Sequence, residues 1–298
     1  MTQEMSQEIP QEIPQATSQK TPLLFLVTGV SSGLGKAIAG TALDAGHKVV
    51  GTVRRQEDAA AFEATAPGRA MAIRLDVTDT GSIVPAVAKI EKEIGPIDVL
   101  VNNAGYGHEG VLEESTMAEL RHQFEVNTFA PVAFMQAVLP YMRARRAGRI
   151  VNVTSMGGII TMPGISFYHG SKFALEGIGE SLGKEVRELG IFVTAVEPGG
   201  FRTDWAGRSM VRAGRSIADY DAIFDPVRER RQGYSGRQAG DPARLGKAVL
   251  ELVRSENPPA HLLLGSDALR LVRDKLASLN AEIEAWKDVS ASTDFQEA

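Results

Sequence analysis

A doubly wound α/β fold, with a parallel sheet of about seven strands and helices on both faces, follows from three features of this 298-residue chain. Short apolar, β-branched runs recur along it, longer amphipathic stretches separate them, and glycine-rich turns sit where a run stops and a helical pattern begins. The runs are apolar throughout rather than alternating, which suits strands buried on both faces. In order they are "LLFLVTG" from Leu23, "KVVGTVR" from Lys48, "AMAIRLDV" from Ala70, "IDVLVNNA" from Ile97, "GRIVNVTS" from Gly148, "FVTAVEPG" from Phe192 and "HLLLG" from His261. Helical patterns such as "GLGKAIAGTALDAG" and "MAELRHQFEVNTFAPVAFMQAVLPYMRARR" lie between them. Strand and helix alternating in this way imply right-handed crossovers on one sheet.

The outer limits follow from composition. Residues 1–21, with the polar, proline-broken "QEIPQEIPQ", read as a disordered tail. Residues 22–289 read as one domain and 290–298 as a C-terminal tail. The stretch 201–241 is long, glycine-broken and rich in arginine and aromatics, and reads as an insertion covering a site. A net charge of −5 gives no general attraction to nucleic acid or to an anionic membrane, and no apolar run reaches spanning length. The N-terminus has neither a basic start nor an apolar core, so a cytoplasmic protein is expected. With no cysteine there is no disulfide framework, thiolate metal site or thiol nucleophile, and the five histidines form no paired ligand motif, so no metal is expected. The sequon at Asn152 lies in an expected buried strand and reads as a chance match.

In open parallel sheets, ligands bind beyond the carboxyl ends of the strands. The first strand ends in Gly29, Gly33 and Gly35 at a turn into a helix, where backbone amides and the helix dipole can meet a pyrophosphate. Their spacing is G-x-x-x-G-x-G rather than G-x-G-x-x-G. Gly29-Val30-Ser31-Ser32-Gly33 also fits the G-x-S-x-G elbow of a serine hydrolase, although an elbow on the first strand has no upstream strands to build an oxyanion hole. Further along, "YHGSK" places Tyr168 and Lys172 at i and i+4 on one helix face. A cation beside the phenol favours phenolate and would make Tyr168 a usable acid or base.

The order of "TGVSSGLG", "LDVTD", "NNAG", Asn127 in "FEVNTFAPV", Ser155 in "IVNVTS", "YHGSK" and "PGGFRTD" resembles the short-chain dehydrogenases/reductases, from about Leu23 to at least Asp204. The resemblance implies a Rossmann-type fold and hydride transfer between NAD(P)(H) and a carbonyl or secondary alcohol. It implies that Tyr168 exchanges the substrate proton, that Lys172 holds the nicotinamide ribose and keeps Tyr168 ionisable, that Ser155 polarises the carbonyl, and that Asn127 joins a water relay to Lys172. Gly29, Gly33, Leu34 and Gly35 would cradle the pyrophosphate, with Ser31 or Ser32 as donors. Asp76 and Val77 would flank the adenine, and Asn103, Ala104 and Gly105 would pass beneath the cofactor. Pro198, Gly199 and Thr203 complete the set. Family members are commonly homodimers or homotetramers through the helices carrying Asn127 and Tyr168.

The second strand ends in Val53-Arg54-Arg55 where a carboxylate would select a ribose hydroxyl. Guanidinium groups there favour NADP(H), with NAD(H) still open. Met156, Ile159, Met162, Trp205, Met210, Tyr220, Ile223 and Phe224 are candidates to line a pocket for a hydrophobic small molecule. Arginines 208, 212, 215, 228, 230 and 231 could meet an acidic substrate or simply lie in solvent. A cofactor-binding sensor without turnover is the alternative from another class. It would not need Ser155, Tyr168 and Lys172 together.

Overall fold

The computed structural model describes residues 22–295. The stretch 1–21, read as a tail, lies outside the described residues. The strands are β1 (Leu24–Val27), β2 (Lys48–Val53), β3 (Ala70–Arg74), β4 (Val99–Asn102), β5 (Gly107–Glu109), β6 (Gly148–Val153), β7 (Ile191–Pro198), β8 (Met210–Arg212) and β9 (His261–Leu264). The α-helices are α1 (Gly33–Asp44), α2 (Gln56–Glu63), α3 (Ile83–Glu93), α4 (Met117–Phe124), α5 (Ala130–Arg145), α6 (Ser166–Val186), α7 (Asp221–Gly233), α8 (Pro242–Arg254) and α9 (Ser266–Ala291). Because α9 runs to Ala291, position 290 is still helical and does not begin a tail.

All seven expected strands form one parallel sheet in the order β3-β2-β1-β4-β6-β7-β9. Their apolar runs divide between two cores by simple alternation along the pleat. Leu24 and Leu26 face Ile83 and Ile90 of α3, Phe134 and Val138 of α5 and Leu175 of α6. Phe25 and Val27 face Ile38 of α1, Phe62 of α2 and Leu245 and Val249 of α8. The chain moves outward from β1 to β3, then crosses back to β4 on the other side of β1. The carboxyl ends of β1 and β4 therefore flank the switch point, where such sheets leave a crevice.

The stretch expected to be an insertion has its own structure. β8 pairs in parallel with β5, away from the main sheet, and α7 follows. Four of its arginines reach carboxylates of the main body. Arg212, Arg228 and Arg231 converge on the buried Glu109 at 3.2, 3.4 and 2.6 Å. Arg215 binds Glu114 at 2.8 Å and Asp221 at 2.6 Å, and also contacts Asp225. Arg208 pairs with Asp204. The first four side chains thus fasten the cover, and the exposed Arg208 pair lies within it, rather than all of them forming the free basic face that the sequence allowed. Asn152 is buried in β6 and accepts a hydrogen bond from Asn102 Nδ2 at 2.9 Å, which leaves no accessible amide for a glycan.

Glu109→Ala should lower unfolding stability by about 3 kcal/mol, since it strips three partly buried guanidinium groups of their shared anion. Urea unfolding read by fluorescence measures this, and a loss below about 1 kcal/mol would place the pairs in the surface class.

Candidate active site

The turn after β1 is built by two side chains from neighbouring strands. Thr28 Oγ1 accepts the amides of Asn103 and Ala104 at 2.9 Å each, and Asn103 Nδ2 donates to the carbonyls of Thr28 and Gly29 at 2.9 and 3.1 Å. Thr52 Oγ1 accepts the Gly29 amide at 3.0 Å. Gly29 and Gly33 take φ of +74° and +59°, which side chains other than glycine rarely adopt. Gly35 has a different constraint: a Cβ there would lie 2.2 Å from Gly29 O and 2.3 Å from Asn103 Nδ2. Its role is close packing of α1 against the turn, beyond the cradling expected for it. At the helix start, Ser32 makes no side-chain cap and the first turn carries no acidic residue. Ser31 is exposed, and Leu34 packs against the core below. Thr203 faces Gly33, its methyl 3.9 Å from where a Cβ would sit, and its hydroxyl caps Trp205 N–H at 3.3 Å.

Tyr168 and Lys172 lie in the first two turns of α6, both buried. The Lys172 ammonium turns toward the end of β6 while keeping within reach of the Tyr168 ring. It lies 5.9 Å from the Tyr168 ring centre and donates to Val153 O at 2.9 Å. Burial pushes the Tyr168 phenol up to about 12, with the Ser155 hydroxyl pulling the other way, and pushes Lys172 down to about 8, opposed by Glu176. Tyr168 is therefore a neutral phenol at physiological pH. Ser155 ends the β6 run; its Oγ accepts Gly157 N–H at 2.9 Å and faces Pro198 O at 3.5 Å. Ser155 thus caps the short turn that follows it while its hydroxyl stands beside the Tyr168 phenol.

Asn127 sits on a π-helical turn, Glu125–Phe129, between α4 and α5. Such turns recur at functional sites. Its Oδ1 accepts Tyr106 N–H at 3.1 Å, and its Nδ2 donates to Tyr106 O at 3.0 Å and Ser171 Oγ at 3.1 Å. The amide locks the segment after β4 to α6, and a Cβ on Gly105 would come 3.1 Å from Asn127 Oδ1 and 3.7 Å from Lys172 Nζ. Sequence reasoning missed His169. Its Nε2 accepts Met162 N–H at 2.8 Å, so Nδ1 carries the proton and donates to Gly157 O at 2.7 Å. Burial holds it below the ordinary imidazole range. This neutral ring braces the loop from Ser155 to Met162, and its only sequence signal is its place next to Tyr168.

The remaining candidates separate by what they touch. Arg55 is committed to Asp58 at 2.8 and 2.9 Å, whereas the exposed Arg54 has no ion pair among the described residues. Asp76 accepts Thr78 N–H and Oγ1–H at 3.0 and 2.8 Å, which hold its carboxyl below the usual range, and Val77 packs inward. Pro198 ends β7 buried, and a Cβ on Gly199 would meet Asp267 Oδ1 at 2.2 Å. Of the expected pocket residues, Trp205 stands edge-on to Tyr168 at 5.1 Å and Met210 is buried beside Gly107. Two others do not fit that role. Ile223 is exposed, and Phe224 is buried against Gly164.

The sequence profile of short chain dehydrogenases matches residues 24–211, and the chain belongs to that family. It is an oxidoreductase of the kind whose members bind NAD(P), rather than the serine hydrolase that the Gly29-to-Gly33 spacing also allowed. It is 35% identical to oxidoreductase BOA17 of Botryotinia fuckeliana over 91% of this chain and 98% of that protein. It is 37% identical to a 3-ketodihydrosphingosine reductase of Bacteroides thetaiotaomicron over 82% and 88% of the respective chains. The crystal structure of a short-chain dehydrogenase from Streptomyces avermitilis superposes with a TM-score of 0.87 at 41% identity, over 93% of this chain and all of that one. Among the described residues no helix is long and apolar enough to cross a membrane.

Gly35→Ala should distort the turn, because the two atoms it strikes are a backbone carbonyl and a side chain held by two hydrogen bonds. The expected result is at least tenfold weaker dinucleotide binding by fluorescence titration. Unchanged binding would mean that α1 shifts without disturbing the turn.

Proposed function

We propose that the protein transfers hydride between NADP(H) and a carbonyl or secondary alcohol of a hydrophobic small molecule, with Tyr168 as general acid/base. The observation that carries this reading is the grouping of the half-buried Ser155 with the buried Tyr168 and Lys172 near the end of β6, with Trp205 edge-on to the phenol. A left-handed glycine turn opens a helix whose first turn carries no acidic side chain, which suits a pyrophosphate. The close approach of Gly105 to Asn127 Oδ1 and Lys172 Nζ brings the segment after β4 up against these two polar side chains. The dinucleotide, when bound, supplies or accepts the hydride.

The protein's own groups do the rest. Ser155 offers its hydroxyl to the substrate oxygen and polarises it. Tyr168, neutral at physiological pH, gives that oxygen a proton, which suits the reductive direction. Lys172 brings a positive charge near the phenol and steadies the anion left behind. Asn127 fixes α6 against the segment after β4. Trp205 and Met210 exclude water from the reacting groups. Arg54, unlike Arg55, is free to meet a ribose phosphate, which supports NADP(H) over NAD(H). Similarity to a protein named as a 3-ketodihydrosphingosine reductase supports a ketone on an extended apolar chain. Assembly as a homodimer or homotetramer belongs to the same reading.

NADPH oxidation against ketones graded from short to long-chain should give turnover that Tyr168→Phe reduces at least about 100-fold while leaving dinucleotide affinity nearly unchanged. Turnover surviving in that variant would remove Tyr168 from the mechanism, and none in the wild type would favour the sensor. Arg54→Asp should reverse the NADPH/NADH preference by removing a phosphate partner and adding repulsion. An unchanged ratio of kcat/KM values would overturn the phosphate assignment.

A further inference from the structure

Behind Ser155 and Lys172, three side chains from three separate elements converge. Glu176, one turn beyond Lys172 on α6, Glu197 near the end of β7 and His261 at the start of β9 each bring a ligand atom within 4.8 Å of the other two. His261 Nδ1 is 2.7 Å from Glu197 Oε1 and 3.4 Å from Glu176 Oε2. Both carboxylates are enclosed, Glu176 at 7% exposure and Glu197 at 0%. Even so, Glu176 Oε1, Glu176 Oε2 and Glu197 Oε2 have no hydrogen-bond partner among the described residues. The nearby Thr154 hydroxyl gives its proton to Val196 O, and the Lys172 ammonium donates to Val153 O. One imidazole N–H cannot satisfy two buried carboxylates, and groups left in this condition are costly unless a cation or a proton joins them.

We infer that Glu176, Glu197 and His261 form a binding site for a divalent transition-metal ion of the zinc class. Four-coordinate zinc holds its ligands about 2.0–2.1 Å away, so neighbouring ligand atoms lie about 3.3 Å apart. The separations from His261 Nδ1 bracket that value. An imidazole among the donors selects against calcium and magnesium, which take oxygen ligands. The other ring nitrogen, Nε2, faces Glu180 Oε2 at 3.9 Å. Closing that gap to hydrogen-bond distance would let the carboxylate orient a metal-bound imidazole. His261 is partly open to solvent, which gives the ion a way in and a free coordination position for water. The ion's two charges would neutralise both carboxylates, displacing the proton they otherwise share, and would tie α6, β7 and β9 together behind the reacting groups.

The test is zinc titration of the full-length protein, stripped with chelator and dialysed, by calorimetry at pH 7.5 in two buffers of different ionisation enthalpy. Cobalt absorption in the visible provides a second readout. The expected result is one Zn²⁺ per chain, proton release on binding, a higher Tm with zinc, and a tetrahedral cobalt spectrum. His261→Asn, at the partly exposed ligand, should weaken binding at least about 100-fold, and Glu180→Gln about tenfold. Absence of saturable binding, or equal affinity in the wild type and His261→Asn, would overturn the site and leave a shared proton as what joins the carboxylates.

Discussion

The organising constraint is the bridge between Thr28 and Asn103. It spans the carboxyl ends of β1 and β4, the two strands where the direction of winding reverses. A parallel ladder fixes strands only as far as it runs, and beyond it the chain would be free to splay. Here the Asn103 amide holds the carbonyls of Thr28 and Gly29 while the Thr28 hydroxyl takes two amides in return. The left-handed glycines, the close seating of α1 and the path of the segment toward Gly105 all depend on this exchange. From Gly105 the same order passes through Asn127 to α6, so the turn over one half of the crevice and the phenol in the other are positioned by one connected set of side-chain amides.

Burial determines the electrostatics of that second half. A phenol and an ammonium in water would stand near 10 and 10.5. Enclosed together they move in opposite directions, both toward their neutral forms. The site thereby holds a proton on Tyr168 without an acid to supply it, and a lysine whose charge responds to its surroundings. His169 contributes without titrating: its tautomer is fixed by a donor on one side and an acceptor on the other, which makes it a rigid strut under the loop carrying Ser155.

The seven strands of the main sheet were legible because each reads as a largely apolar run, the inner ones buried on both faces and the edge strands β3 and β9 less so. β5 and β8 were not, since three residues carry no period and their pairing joins positions about a hundred apart. The same non-locality hid the anchoring of Arg212, Arg228 and Arg231 on Glu109, and the meeting of Glu176, Glu197 and His261. Local spacing placed Tyr168 and Lys172 on one helix face correctly but could not show where a four-carbon side chain would turn. That was decided by Val153 O, on another strand. The doublet Arg54-Arg55 looked equivalent in sequence; Asp58, three residues further along the start of α2, makes the two different.

The pairing of β5 with β8 also bears on how the molecule assembles and breathes. Closing a loop of that length costs entropy that only a few ladder hydrogen bonds and the arginine cluster repay, so the cover has little reason to form before the main sheet exists to receive it. What joins last is also what can leave first. By that argument the segment 201–233 would detach at a fraction of the global unfolding free energy, exposing Trp205 and Met210 while both cores stay intact. Amide exchange in β8 and α7 would run ahead of exchange in β1 and β4 by the same margin.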